Sequence, residues 1–438
     1  MKKTLAALIA IAVISTMAVA SDTRIASVGA ASTFLKDFAD IYFLPSNLSL
    51  YPRQINAELG SGAPAYYPGY GSAAITWTND EDQSWGVMGI DVNHAVIGEQ
   101  EFGADITAIN TYLGGPADVL PHPDNKFHLF YARKIGTMTA GLHLARVAGA
   151  QTYEDADSTG NTTTMEASTG LWNINAGVSM TPMENVGLDV AFAYQMLSFS
   201  GEDSWTNVAP ATGSTTIESD GGSNILFGAR VFYPFSDALK FVPVFGLNMY
   251  KLGYKTSFTG LDTVGNAPFG GEKSRMNLTG AFGLNYQPQE NVTLIGGLHF
   301  GYGKTTVEDT MGVLYQDPVW FAYAPFSEVA ITTLTLPGFS AAVEAELLKW
   351  LWVRFGASKM LTKTTGEYTQ SPSAWGNELT FETSSTDAPY AFCFGLGLKF
   401  GKLSIDAKLN DDQPFDLGYL MSGNTGSPFT QVSATYKF

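Results

Sequence analysis

The side chains best suited to chemistry are two histidines and a set of charges, all sharing one parity of alternating segments. Phe127, Leu129 and Tyr131 flank His128 on the opposite parity, and Met138, Ala140, Leu142 and Leu144 do the same for His143. A two-residue turn at Ile135-Gly136 sets His128 opposite His143 on adjoining strands. Two facing imidazoles can bind a metal or titrate near pH ~6.5. A metal wants a third or fourth ligand, and the sequence identifies none, since His299 shares the inward parity without a readable distance. A polar pair bonded to its neighbours is the simpler reading, so no metal and no cofactor are expected.

The charges follow the same logic. Glu344 and Glu346 alternate with Val343, Ala345 and Leu347, while Arg354 alternates with Val353 and Phe355. A short turn at 348–350 places Glu344 opposite Arg354. Asp406 and Lys408 alternate with Ile405 and Leu409. Paired carboxylates can serve as general acid and base, but neighbouring inward charges in a closed sheet more often brace its wall. The sequence holds no G-x-S-x-G, H-E-x-x-H, C-x-x-C, P-loop or dinucleotide fingerprint, so no enzyme is expected.

The elements that position these residues are strands. From about Gln54 onward the period is two: Tyr390, Phe392, Phe394, Leu396, Leu398 and Phe400 share one parity, with Ala391, Cys393, Gly395, Gly397 and Lys399 between them. Leu188, Val190, Phe192, Tyr194 and Met196 alternate in the same way with Asp189, Ala191, Ala193 and Gln195. Apolar runs of roughly 9–14 residues suit a tilted membrane crossing better than the short strands of globular sheets. Short connections near 79–83, 135–136, 182–185, 236–238, 288–291, 349 and 401–402 alternate with long ones at 93–125, 148–168, 201–222, 256–274, 305–328, 362–388 and 410–426. Short turns on one rim and long loops on the other mark a membrane barrel. The expectation is an all-β, antiparallel up-and-down transmembrane β-barrel over 54–438, with sixteen strands, or fourteen if 54–77 folds inside.

Composition agrees. Only 15% of the 438 residues are charged, against about 25% in an average soluble domain. Lipid is therefore an expected partner. The net charge of −17 offers little to neutralise phosphates, which excludes nucleic acid as a partner. Lys2 and Lys3, an apolar run from Leu5 to Ile14, and Ala18-Val19-Ala20 read as a signal peptide over 1–20. The single cysteine, Cys393, excludes an internal disulfide framework.

Residues 21–53 do not alternate. Ala30, Ala31, Phe34, Leu35, Phe38 and Ala39 fall at helical spacing, and Pro45 begins a short second turn containing Asn47 and Leu48. An apolar-faced segment ahead of a barrel must bury itself, and the lumen is the available place. Val28-Gly29-Ala30-Ala31, Asp37-Phe38-Ala39-Asp40 and Leu44-Pro45-Ser46-Asn47-Leu48 resemble the start of the FadL family of outer-membrane transporters for long-chain fatty acids and other hydrophobic compounds, including its PorV-like branch. That family begins with a Gly/Ala-rich stretch, an acidic-Ala pair and Asn-Pro-Ala-x-Leu. Leu44 stands in place of its Asn, and sixteen strands exceed its usual fourteen. The resemblance implies a hatch built on Phe34, Leu35, Phe38, Pro45, Asn47 and Leu48, an outer-membrane location in a Gram-negative-type bacterium, and a small hydrophobic ligand entering from outside.

Within 93–125, Ile106, Ile109 and Leu113 before Gly114-Gly115 predict a short amphipathic helix. It either captures a greasy ligand or folds over the barrel mouth and buries its own face. The ending Tyr436-Lys437-Phe438 resembles the terminal signal of outer-membrane barrels, which implies the barrel-assembly machinery as a partner during insertion. Passive transport of small hydrophobic compounds is the function expected. A general porin for polar solutes and a PorV-like barrel that docks secreted proteins are the alternatives.

Overall fold

A computed structural model describes residues 23–60, 71–79, 83–113, 120–156, 160–206, 212–259, 270–309, 326–370, 379–409 and 429–438. The signal peptide read at 1–20 lies outside them. The strands are β1 (Gln54–Leu59), β2 (Gly71–Trp77), β3 (Val87–Val92), β4 (Asn125–Ile135), β5 (Met138–Ala156), β6 (Thr162–Met183), β7 (Val186–Thr206), β8 (Thr212–Pro234) and β9 (Leu239–Thr259). They continue as β10 (Gly270–Gln289), β11 (Val292–Asp309), β12 (Phe326–Leu348), β13 (Leu351–Gln370), β14 (Leu379–Asp387), β15 (Tyr390–Phe400), β16 (Leu403–Leu409) and β17 (Phe429–Lys437).

Sequence neighbours pair antiparallel, except that β14 and β15 both pair with β13, and β1 pairs with both β2 and β17, which closes the ring. Sixteen strands form that ring. The seventeenth, β14, lies on the register of β15: Thr362 faces Asp387 as Lys359 faces Tyr390, and Ala388-Pro389 interrupts the run. Because β1 and β2 are ring members, the fourteen-strand count is excluded.

Alternation decides which way each side chain points. Along β7, Phe192, Tyr194 and Met196 are exposed, while Ala191, Ala193 and Gln195 are buried. Along β10, Leu278, Phe282 and Leu284 are exposed. Among the described residues the outer wall is thus an apolar belt, and closure of the ring leaves no open sheet edge, as a barrel embedded in lipid requires.

Two expectations need correction. The segments 148–168, 201–222 and 362–388 are largely paired strand rather than loop, and β5 to β13 run eighteen to twenty-three residues. Their polar tips keep the ladder because Ser and Thr pair across it, as Ser168 does with Ser200 at 3.0 Å and Ser214 with Thr259 at 2.8 Å. The other correction is the first hairpin turn. It is Gly136-Thr137, with Ile135 opposite Met138 and Gly136 at φ 62°, the left-handed geometry of a tight hairpin. His128 therefore faces Ala145, and His143 faces Phe130. A slip of two register positions keeps parity, so both histidines still point inward.

Candidate functional site: the occupied lumen

The interior is filled from one rim by residues 23–50 and from the other by a helix. The N-terminal segment is a helix at Thr23–Val28 followed by 3-10 turns at Gly29–Phe34, Phe38–Tyr42 and Pro45–Leu50. The single helical run expected over 30–39 is broken at Leu35, whose backbone is extended (φ −105°, ψ 163°). The break has a local cause. Asp37 caps the next turn by accepting the Phe38 N–H at 2.6 Å, and Asp40 accepts the Asp37 N–H at 3.1 Å.

Packing seats this segment against inward glycines of the wall. A β-carbon at Gly283 or Gly297 would overlap the Phe34 ring, one at Gly228 would meet Phe43, and one at Gly141 would meet Pro45. Phe34 is fully buried with Val242, Ala281 and Ile295 around it, and Leu35 packs at the margin of that cluster. Phe38 and Leu48 pack with Val87, Phe130 and Ala132. Each large side chain gains roughly 1.5–3 kcal/mol at full burial. Wall amides hold the backbone: Asn285 donates to the Phe34 carbonyl at 2.7 Å, and Asn175 donates to the carbonyls of Tyr42 and Phe43 at 3.0 and 2.9 Å. Asn47 accepts from Ser179 at 3.2 Å.

Charges fix the orientation. Arg24 bridges Asp37 (2.5 Å) and Glu344 (3.0 Å); Glu344 also meets Arg354 (3.3 Å), which reaches Asp406 (2.5 Å). Burial opposes the Arg24 charge, but Asp37 and Glu344 beside it hold its pKa above the usual value. On the facing wall Lys36 meets Asp189 at 2.9 Å, and Asp40 meets Arg230 at 2.7 Å. Burial pushes the Asp40 carboxyl up, and Arg230 works against that shift. Desolvation offsets much of the attraction in such pairs, so they specify one seating more than they stabilise it. Glu344 and Arg354 lie directly opposite one another. Glu346 faces Trp352 and is half-buried, and Lys408 faces Gly395. The parity of Asp189 and Arg230 was readable in the sequence, but their partners Lys36 and Asp40 lie on a segment without strand period.

His128 and His143 join the segment to the wall. They bond to each other at 2.9 Å, and their remaining nitrogens bond the carbonyls of His94 (2.9 Å) and Tyr42 (3.0 Å). The His94 ring stacks on Tyr42 with centroids 3.6 Å apart, and the Tyr42 hydroxyl donates to Asp91 at 2.7 Å. Among the described residues no group of three or more His, Cys, Asp or Glu is placed to hold a metal.

The second occupant is the helix Glu99–Leu113. Phe102, Ile106 and Ile109 are each 0% exposed and pack against inward Val147, Leu171, Phe199 and Leu252. Ile106 and Ile109 bury their own face and present none of it to the exterior; the side chain of Leu113 lies outside the described residues. The polar face is clamped to the wall. Glu99 meets Lys126 at 2.6 Å, Glu101 meets Arg275 at 3.0 Å, and Asp105 meets Lys273 at 2.5 Å and accepts from the Tyr250 hydroxyl at 2.6 Å. Between the N-terminal segment and the wall of β8–β10 lies a cavity of about 110 Å³, whose lining includes Ile25, Phe43, Ile97 and Leu226 together with Asp40 and Arg230.

The fold and this interior define a closed β-barrel whose lumen is occupied from both ends. No protein-family model and no curated protein matches the chain. Among solved structures it is similar to the Pseudomonas putida toluene transporter TodX (10% identity over 95% of this chain and 97% of that one, TM-score 0.38). It is also similar to a Pseudomonas aeruginosa FadL homologue (10%, 94% and 96%, TM-score 0.34) and to CdiB from Escherichia coli (10%, 89% and 63%, TM-score 0.38). The barrel rests on its own strand pairings.

Proposed function

We propose that the protein is an outer-membrane channel for passive uptake of small hydrophobic compounds. The observation that carries this reading is the character of the inner wall. Inward positions of a water-filled pore are polar, yet in the outer half of this barrel Val147, Leu171, Phe199, Leu252, Val307 and Ile331 point inward and are buried. A compound that displaces the Phe102–Ile106–Ile109 face exchanges one apolar contact for another, whereas a sugar would leave its hydroxyls unpaired.

The cavity beyond supports a size limit. Its volume of about 110 Å³ is somewhat below the roughly 150 Å³ of an engineered apolar cavity that binds benzene. A short alkyl segment fits, whereas a ring the size of benzene or a long chain has to displace residues around the cavity. The occupied lumen also speaks against the open polar porin.

The test is reconstitution of the full chain in liposomes. Uptake of a labelled monoaromatic hydrocarbon should rise above that of protein-free vesicles, with little swelling in sugars. Rapid swelling in sugars with no gain in hydrocarbon uptake would refute the reading.

A further inference from the structure

We propose that the outward face of β11–β13 binds the phosphate headgroup of an anionic outer-leaflet lipid through Lys304 and Lys363. The pattern begins with where charge first appears on the outer wall. Outward positions on β11 read Leu294, Leu298, Phe300 and Tyr302 before Lys304, and on β13 they read Val353, Phe355 and Ala357 before Lys359. On β5 and β9 the first such charges are Arg146 and Lys251. In a chain of net charge −17, the upper border of the apolar belt is cationic on all four strands. Outward glutamates, Glu154, Glu308 and Glu367, stand farther out.

Two of these border cations are already engaged. Lys251 pairs with Glu272 at 2.7 Å, and Arg146 lies over the Trp172 ring at 5.1 Å and donates to the Val147 carbonyl at 2.7 Å. Lys304, Lys359 and Lys363 are exposed and make no ion pair among the described residues. Register brings Lys304 and Lys363 together. Lys304 faces Thr332 and Lys363 faces Leu334, so they flank β12 with an offset of two residues, about 12 Å apart at the usual strand spacing and rise. Lys359 faces Phe339, four residues deeper along β13 and outside this pair. Between them the exposed side chains are Leu334, Leu336 and Phe339.

The patch is therefore apolar below and cationic above, the profile of a lipid whose chains lie on leucine and phenylalanine with phosphate at the border. Basic clusters at this depth attract anionic headgroups by an amount corresponding to about fivefold in affinity per lysine. The glutamates farther out would repel the same headgroup, which sets its depth.

The test uses the full chain in detergent, with lipid retention read by native mass spectrometry. Bisphosphorylated lipid A and its dephosphorylated form are the probes. Wild type should retain the phosphorylated probe preferentially. The double variant Lys304→Gln/Lys363→Gln should retain roughly 30-fold less, whereas Lys304→Arg/Lys363→Arg should retain it like wild type. Heat-modifiable migration on gels reports that each variant is a folded barrel. Equal retention of the two probes by wild type, or unchanged retention by the folded Gln variant, would overturn the proposal.

Discussion

Arg354 is the second member of a chain of charges, Asp406–Arg354–Glu344–Arg24–Asp37, that runs from wall to N-terminal segment. Removing it strands Asp406, while Glu344 keeps Arg24. Arg354→Ala should therefore destabilise the barrel by less than the 3–5 kcal/mol, roughly, of a fully orphaned buried charge. Adding Asp406→Asn should recover most of the loss, and Lys408→Ala should cost less than Arg354→Ala. Urea midpoints check all three, and equal midpoints for Arg354→Ala and Lys408→Ala would contradict the pairing. His94 gives a pH dependence. Burial first, and His128 beside it second, push its pKa down to about 3, below the ~6.5 of an unfolded imidazole. The unfolded chain then binds the proton first as pH falls. Stability from the neutral ring is complete above pH ~6.5 and is lost as pH falls toward 3. The drop in melting temperature between pH 7 and pH 4 should be smaller in His94→Phe, which keeps the stack on Tyr42. Parity made Glu344, Arg354, His128 and His143 legible as inward residues. Arg24 was not legible as the partner of Glu344, nor Lys36 and Asp40 as the partners of Asp189 and Arg230, because a segment of short helical turns carries no strand period that aims a side chain.

Among the elements, alternation located every membrane crossing but not the strand ends, since nothing in a Ser/Thr-rich run separates a loop from a ladder that continues into water. The amphipathic spacing of Ile106 and Ile109 gave the outer helix, yet not which of two apolar environments it faces. The helix is held on its polar side by Glu99, Glu101 and Asp105. Replacing Asp105 with Ala removes the acceptor of the Tyr250 hydroxyl and leaves Lys273 only its longer contact with Glu101 at 3.7 Å, and it should loosen the outer closure while the barrel stays folded. Faster hydrocarbon entry with unchanged heat-modifiability is the expected readout, and an unchanged rate would detach the helix from gating. The N-terminal segment is held by shape as well as charge. Gly297→Val fills the recess of Phe34, so it should unseat that turn and raise single-channel conductance in planar bilayers. Wild-type conductance in a folded Gly297→Val barrel would mean that Phe34 does not obstruct the path.

For the whole molecule, deleting residues 21–50 tests the filled lumen directly. The strands and their ring remain, so the product should insert, conduct ions strongly and admit sugars. Unchanged sugar permeability in an inserted deletion mutant would show that the segment is no plug and would favour the docking alternative. The ring also has a seam. β1 meets β17, with Gln54 opposite Lys437 and the Phe438 N–H donating to the Arg53 carbonyl at 3.0 Å. Arg53 ends the stretch that fills the interior, so that stretch is tethered directly to one lip of the seam. Whatever loosens the pairing of residues 429–437 with β1 therefore also slackens the anchor that the insert has at Arg53.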